Sequence, residues 1–292
     1  MSMRIRTNVA SLTAQRHLSN NQTNTQQSFE RLSSGYRINK SSDDAAGLAV
    51  SENLRGKIVG NNQAKRNAND AISLVQIAEG SMNEMSNILI RLRELSVQAA
   101  SDTIGDSERS YLNKEYTQLV DEVDRIAGST EFNGRMLFQE EDVDQYVIQV
   151  GTNASEPEDN KDTITIGLEG LRFNSEDLGL GKEAEIGPKE SGESGPDREE
   201  IASRLGVIDT ALNRFAKERA NLGSIQSRLQ SSINNLSITV ENMETAKSRI
   251  RDVDFAEETA NLTQARILSA SNLSVLTQAN QGPEMALQLL GR

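Results

Sequence analysis

The chain has 292 residues, no cysteine, no tryptophan and only 3% aromatic residues. This excludes a disulfide frame, a thiolate nucleophile and a cysteine metal site, and it leaves a core of Leu, Ile, Val and Ala, which suits long helices more than a β-sandwich. The net charge of −12 is concentrated in residues 139–200, where 18 Asp or Glu face 5 Lys or Arg; that acidic segment reads as a solvated face, and nothing basic enough for nucleic acid remains.

Residues 1–16 hold no apolar run long enough for a signal peptide, and no stretch reads as a membrane-spanning helix. Export, if it occurs, is expected by a route that spares the N-terminus, with no membrane insertion. Residues 17–29 carry no charge beyond His17, and residues 19–28 have no apolar side chain. A solitary helix of that composition is marginal in water. Ser42, followed by Asp43 and Asp44, is expected to cap a long helix over 45–100. Its apolar positions run from Leu54, Ile58, Ala68 and Ile72 to Leu89, Leu92, Leu95 and Ala99, near a 3.6-residue period. The stretch SDTIGD breaks it. A shorter helix follows through Leu112, Tyr116, Leu119, Val123 and Ile126, with Gly128 as the expected stop.

The middle changes character. YVIQVG at 146–151 and TITIGL at 163–168 predict two short strands. Gly195-Pro196-Asp197 restarts the helical pattern, and Asp197 with Glu200 predicts a capping box. Residues 201–250 then carry rungs stepping 4, 3, 4, 3 from Ile201, Leu205, Ile208, Leu212 and Phe215 to Val240, Met243, Lys247 and Ile250. Such a stripe requires a helix about 75 Å long and a second helix to cover it. Arg251 to Asp254 interrupts the ladder, and Asp254 with Glu257 predicts a second capping box before a last helix that reaches Gly282-Pro283. Residues 267–283 are again uncharged. Their apolar arc is too wide for one partner helix, so both chain ends are expected to order only when several copies pack together.

The ladder is best matched in length by residues 45–100. The predicted fold is therefore mainly α: a long antiparallel helical bundle or coiled coil built from both chain ends, with a small β-rich insertion in the middle. Little supports an enzyme. The single histidine, His17, excludes a His-based triad or His-rich metal site. Asp43-Asp44 and Asp252-Val253-Asp254 lie at helix starts, where capping explains them. No Gly-rich loop follows a strand in the phosphate-binding manner. No cofactor is expected. Gly206 and Gly223 weaken the ladder helix by about 1 kcal/mol each; they either allow close helix approach or are simply tolerated.

Several runs carry a resemblance. SFERLSSGYRINKSSDDAAGLAVSENLRGKI at 28–58, NDAISLVQIAEGSMNEMSNILIRLRELSVQAA at 69–100, EFNGRMLF at 131–138, ENMETAKSRIRDVDFAEETANLTQARIL and the near-terminal ALQLLGR together resemble bacterial flagellin. The resemblance covers about two thirds of the chain, in order at both ends. It implies an inner filament core from residues 1–40 and 254–292, an outer helical core from 41–139 and 197–253, and a small acidic β and loop outer segment at 140–196. The implied function is a structural subunit, not an enzyme, that is exported unfolded through the flagellar type III apparatus and polymerises at the filament tip into the helical propeller of swimming motility. The implied location is extracellular, in a bare or sheathed flagellar filament. The implied partners are further copies of the chain, a flagellin chaperone on residues 254–292, the export apparatus, and the hook–filament junction and filament cap proteins. Filament-core packing is expected from Val9, Leu12, Leu262, Leu268, Leu273, Leu276, Leu289 and Leu290. The positions matching the segment seen by the vertebrate flagellin-sensing Toll-like receptor are Arg91, Leu95 and Glu115, with Ile90 where Gln is usual. A hook–filament junction protein would share the architecture, but RLSSGYRINKSSDDAAGLA resembles flagellin proper more closely. An intracellular coiled-coil tether would explain the ladder but not the uncharged ends.

Overall fold

The computed structural model describes residues 7–138, 145–152, 160–167, 171–181, 186–188, 196 and 198–290, the last nine by backbone alone. The predicted capping box at Asp197 lies outside them. Among the described residues five helices dominate: α1 (Val9–Ser34), α2 (Ala45–Ala99), α3 (Asp106–Ser129), α4 (Arg198–Arg251) and α5 (Phe255–Leu290). The strands among the described residues, β1 (Glu131–Phe132), β2 (Arg135–Met136), β3 (Gln145–Gln149) and β4 (Thr163–Gly167), pair as antiparallel ribbons, β1 with β2 and β3 with β4. The chain divides into two compact units, residues 1–58 with 241–292 and residues 59–240, and the boundary falls within α2 and α4. The mainly helical fold with a small central β insertion agrees with the hydrophobic periodicity.

In the unit of residues 59–240, α2 and α4 run antiparallel. Glu79 pairs with Arg219 at 3.8 Å, and Arg93 with Asp209 at 2.7 Å. Ile201, Ile208, Phe215, Leu222 and Leu229 of α4 are all buried. They recur every seven residues, so one stripe of the ladder faces the core throughout. Met82, Met85, Leu89 and Leu92 of α2 are fully buried against the same cluster. The third helix, α3, adds Tyr116 and Val123, and Thr130 just beyond it donates to Ser81 of α2 at 3.0 Å. Gly206 and Gly223 would each accept a Cβ without meeting a neighbour. They are tolerated in α4; no close approach requires them.

The acidic middle contributes more than a solvated face. Leu171, Phe173, Leu178, Leu180 and Ile186 are buried in the helical core. Phe173 stacks on Phe215 with centroids 4.1 Å apart and packs at 5.7 Å from Phe138. Asp124 of α3 holds the segment, accepting from the Ser175 N–H at 2.6 Å and from its hydroxyl at 2.7 Å. The expected strands pair in the register Tyr146 to Ile166 and Ile148 to Ile164, with both isoleucines of β4 buried and Val147 exposed. That alternation puts one face of the ribbon on the core. Strands β1 and β2 form a tight hairpin. Its signal is Asn133-Gly134, at φ 53° and 78°; two left-handed residues in succession make the tight turn that Asn-Gly favours.

Three boundaries differ from expectation. The residue capping α2 is Asp44 rather than Ser42: its Oδ1 accepts from the Gly47 N–H at 2.9 Å, while Asp43 Oδ2 accepts from the Asn39 and Lys40 amides of the preceding turn. Both acids lie before the helix, so neither occupies its first turn. The expected stop at Gly128 falls inside α3, which ends at Thr130 in extended geometry; glycine stops a helix only where the chain turns left-handed. Beyond Gly282-Pro283, α5 continues to Leu290. The Asp254 cap does form, with Oδ1 accepting from Ala256 at 2.9 Å and Glu257 at 3.3 Å.

Candidate functional site

The terminal helices α1 and α5 pack side by side and antiparallel, with Arg31 on Glu258 at 3.5 Å and Arg266 over the Phe29 ring at 4.9 Å. The residues that α1 turns inward, buried or half-buried, are Ser11, Ala14, Leu18, Asn21, Thr25, Ser28 and Leu32; those of α5 are Glu258, Leu262, Ala265, Ser269, Asn272, Leu276 and Ala279. Each set steps 3 and 4, the spacing of a coiled-coil seam. The chemistry of the seam is unusual, because most of these side chains are small or polar.

Large apolar side chains point the other way. Val9 is 63% exposed and Leu12 57%, while Ile267 is 64%, Leu273 55%, Val275 49% and Leu268 44% exposed. Leucines at 262 and 276, by contrast, are half-buried in the seam. The expected packing residues therefore divide: Val9, Leu12, Leu268 and Leu273 face outward, and Leu262 and Leu276 face α1. The side chains of Leu289 and Leu290 lie outside the described residues. An apolar surface of this extent on a two-helix layer marks an interaction surface. Sequence reasoning identified the apolar arc but not its direction. The usable signal was the heptad itself, whose inward positions are mostly small or polar.

A second cluster lies on the unit of residues 59–240. Arg91 donates to Glu115 through Nε at 2.9 Å and Nη2 at 2.7 Å, and to Glu94 through Nη1 at 3.0 Å. All three side chains are exposed. The carboxylates, Glu115 foremost, push the Arg91 guanidinium above its already high ordinary value. Leu95, expected as a surface contact beside them, is only 1% exposed. The three-residue step from Leu92 keeps it on the core stripe of α2.

Residues 5–142 match the bacterial flagellin N-terminal helical region, and residues 205–290 match the bacterial flagellin C-terminal helical region. The chain belongs to the bacterial flagellins. The flagellin of Halalkalibacterium halodurans is 40% identical over 288 residues, spanning 99% of this chain and 100% of that one. The flagellar filament 33 kDa core protein of Treponema phagedenis is 37% identical over 296 residues, with the same coverage. A flagellar hook-associated protein of Vibrio parahaemolyticus shares the fold, with a TM-score of 0.59 at 15% identity over 72% of this chain and 100% of that one. As a flagellin, the chain is a structural subunit of the flagellar filament, outside the cell, and not an enzyme. Among the described residues no helix is long and apolar enough to cross a membrane.

Proposed function

We propose that the outward apolar faces of α1 and α5 are the surfaces by which copies of this flagellin stack into the inner wall of the filament. Residues 1–40 and 254–292 form that wall, residues 41–139 and 197–253 the outer helical layer, and residues 140–196 its outer segment. One observation carries the reading: the seam between α1 and α5 is small and polar, whereas Val9, Leu12, Ile267, Leu273 and Val275 are about half or more exposed. A pair folded for its own stability would bury the large side chains first.

The same face explains the further partners. Before assembly, a chaperone on residues 254–292 covers the exposed side chains of α5, and the chain passes unfolded through the export apparatus. Junction proteins at the filament base and cap proteins at its tip present matching apolar surfaces to the first and last copies. On the outer layer, Arg91 and Glu115 form the contact for the flagellin-sensing Toll-like receptor.

Deletion of residues 255–292 tests the assembly reading. The shortened chain keeps the fold of residues 59–240 by circular dichroism and forms no filaments by electron microscopy. Normal filaments from it refute the reading.

A further inference from the structure

Pro283 lies within α5 and has no backbone N–H. In an α-helix, that N–H would bond the carbonyl four residues back, which belongs to Ala279. The carbonyl is met from the other terminal helix: Asn8 Nδ2 donates to Ala279 O at 2.9 Å. The same amide group also starts α1, for Asn8 is its N-cap and Oδ1 accepts from the Ser11 N–H at 3.1 Å. A carboxamide offers a fixed acceptor and a fixed donor on one short side chain. One side chain thus closes two backbone vacancies: the free amides at the start of α1 and the carbonyl left by the proline in α5.

The seam between these helices does little to choose its own register. Its apolar knobs are only Leu18, Leu32, Leu262 and Leu276 among small and polar residues. The leucines recur fourteen residues apart on each helix, so sliding one helix by that distance would bring similar side chains together again. Near one end the register is marked by Arg31 with Glu258 and Arg266 with Phe29, and at the far end by Asn8 with Ala279. We infer that Asn8 is a positioning residue for assembly: by bonding the carbonyl that Pro283 leaves open, it fixes α1 against α5 in the register that presents their outward apolar faces together. The inference rests on the assembly reading above.

The test exploits the proline. Asn8→Ser keeps a capping oxygen but stops short of Ala279. Pro283→Ala gives α5 its own N–H for that carbonyl and makes the Asn8 donor dispensable. The measurement is the concentration of full-length subunit left in solution when sheared filament seeds stop elongating. Asn8→Ser raises it about five- to tenfold, the weight of one hydrogen bond. Pro283→Ala alone leaves it within about twofold, and adding Pro283→Ala to Asn8→Ser returns it to that level. An Asn8→Ser effect that is absent, or equally large in both backgrounds, overturns the inference, as does loss of assembly with Pro283→Ala alone. A second readout needs no filament. The chain lacks cysteine, so Arg31→Cys and Glu258→Cys can be joined in the monomer by a short bis-maleimide. Asn8→Ser lowers the cross-linked fraction severalfold and Pro283→Ala restores it; an unchanged fraction contradicts the register role. Failure of the unsubstituted chain to elongate seeds overturns the assembly reading instead.

Discussion

Arg251, the last residue of α4, lies over the Tyr36 ring with its guanidinium 4.7 Å from the centroid. Its Nη1 also donates to Glu52 of α2 at 2.6 Å. Around this contact, the turn after α1 and the turn after α4 are laced by backbone hydrogen bonds: Arg37 N–H to Arg251 O at 2.7 Å and Val253 N–H to Gly35 O at 3.0 Å. Gly35 makes this possible with φ 74°, a conformation in which its own N–H also closes α1 on Arg31 O. The clasp ties the end of α1 to the start of α5. Arg251→Ala removes the cation–π contact, worth about 0.5–1 kcal/mol at a partly exposed site, and leaves Glu52 without that partner. Amide exchange at Arg37 and Val253 should quicken severalfold by mass spectrometry, with the core amides of α2 around Leu89 unchanged.

Acid should open the same clasp. The hydrogen bond from Arg251 holds the Glu52 carboxyl below its ordinary value, and the Lys40 and Asn39 amides do the same for Asp43. A carboxylate depressed in the folded state binds its proton less readily there than when unfolded. Its contribution is therefore intact above about pH 4.5, the ordinary glutamate value, and is lost as the pH falls through the lower folded-state values. Exchange at Arg37 and Val253, corrected for intrinsic rates, should accelerate below that pH in the native chain. Glu52→Gln should flatten part of the dependence.

Tyr116 is 1% exposed, and its hydroxyl has no hydrogen-bond partner among the described residues. Burial pushes the phenol up to about 12. The folded chain therefore keeps the proton between pH 10 and 12 where the unfolded chain releases it, so stability is full below pH 10 and declines as the pH rises through that interval. Tyr116→Phe should abolish this decline. At neutral pH it should be neutral or stabilising by up to about 1 kcal/mol, because an unsatisfied buried hydroxyl is removed with little change of shape. Urea unfolding at pH 7 and pH 11 checks both outcomes.

The proposed receptor contact on α2 and α3 should separate recognition from stability. Arg91→Ala should lower Toll-like receptor signalling in a reporter-cell assay while leaving Tm nearly unchanged, since exposed ion pairs contribute little. Leu95→Ala should instead cost about 2–5 kcal/mol in urea unfolding, the expected loss for a large buried side chain.

The long elements were legible because their apolar periods are long. Four seven-residue steps from Ile201 to Leu229 mark α4, and the alternation of TITIG marks β4. Ends were harder. Ser42, Asp43 and Asp44 are all good caps, and only the backbone decides that Asp44 reaches Gly47. A proline after a glycine reads as a stop, yet α5 passes Pro283, and Asn8, distant in sequence, donates to the Ala279 carbonyl that the proline cannot serve. Burial of Phe173 was hidden because its neighbours are acidic and polar. The arc in α5 was visible, but its outward direction depends on which seam α1 selects.

Leu273→Glu measures the central claim most directly. Leu273 is 55% exposed on α5, so in the monomer the substitution should shift stability by no more than about 0.5 kcal/mol. In a filament wall built from that face, it would bury an unpaired charge. Elongation of sheared seeds, followed by light scattering and electron microscopy, should cease for Leu273→Glu while its circular dichroism melt overlays that of the unsubstituted chain. Filaments of normal length and number from the variant would contradict the account.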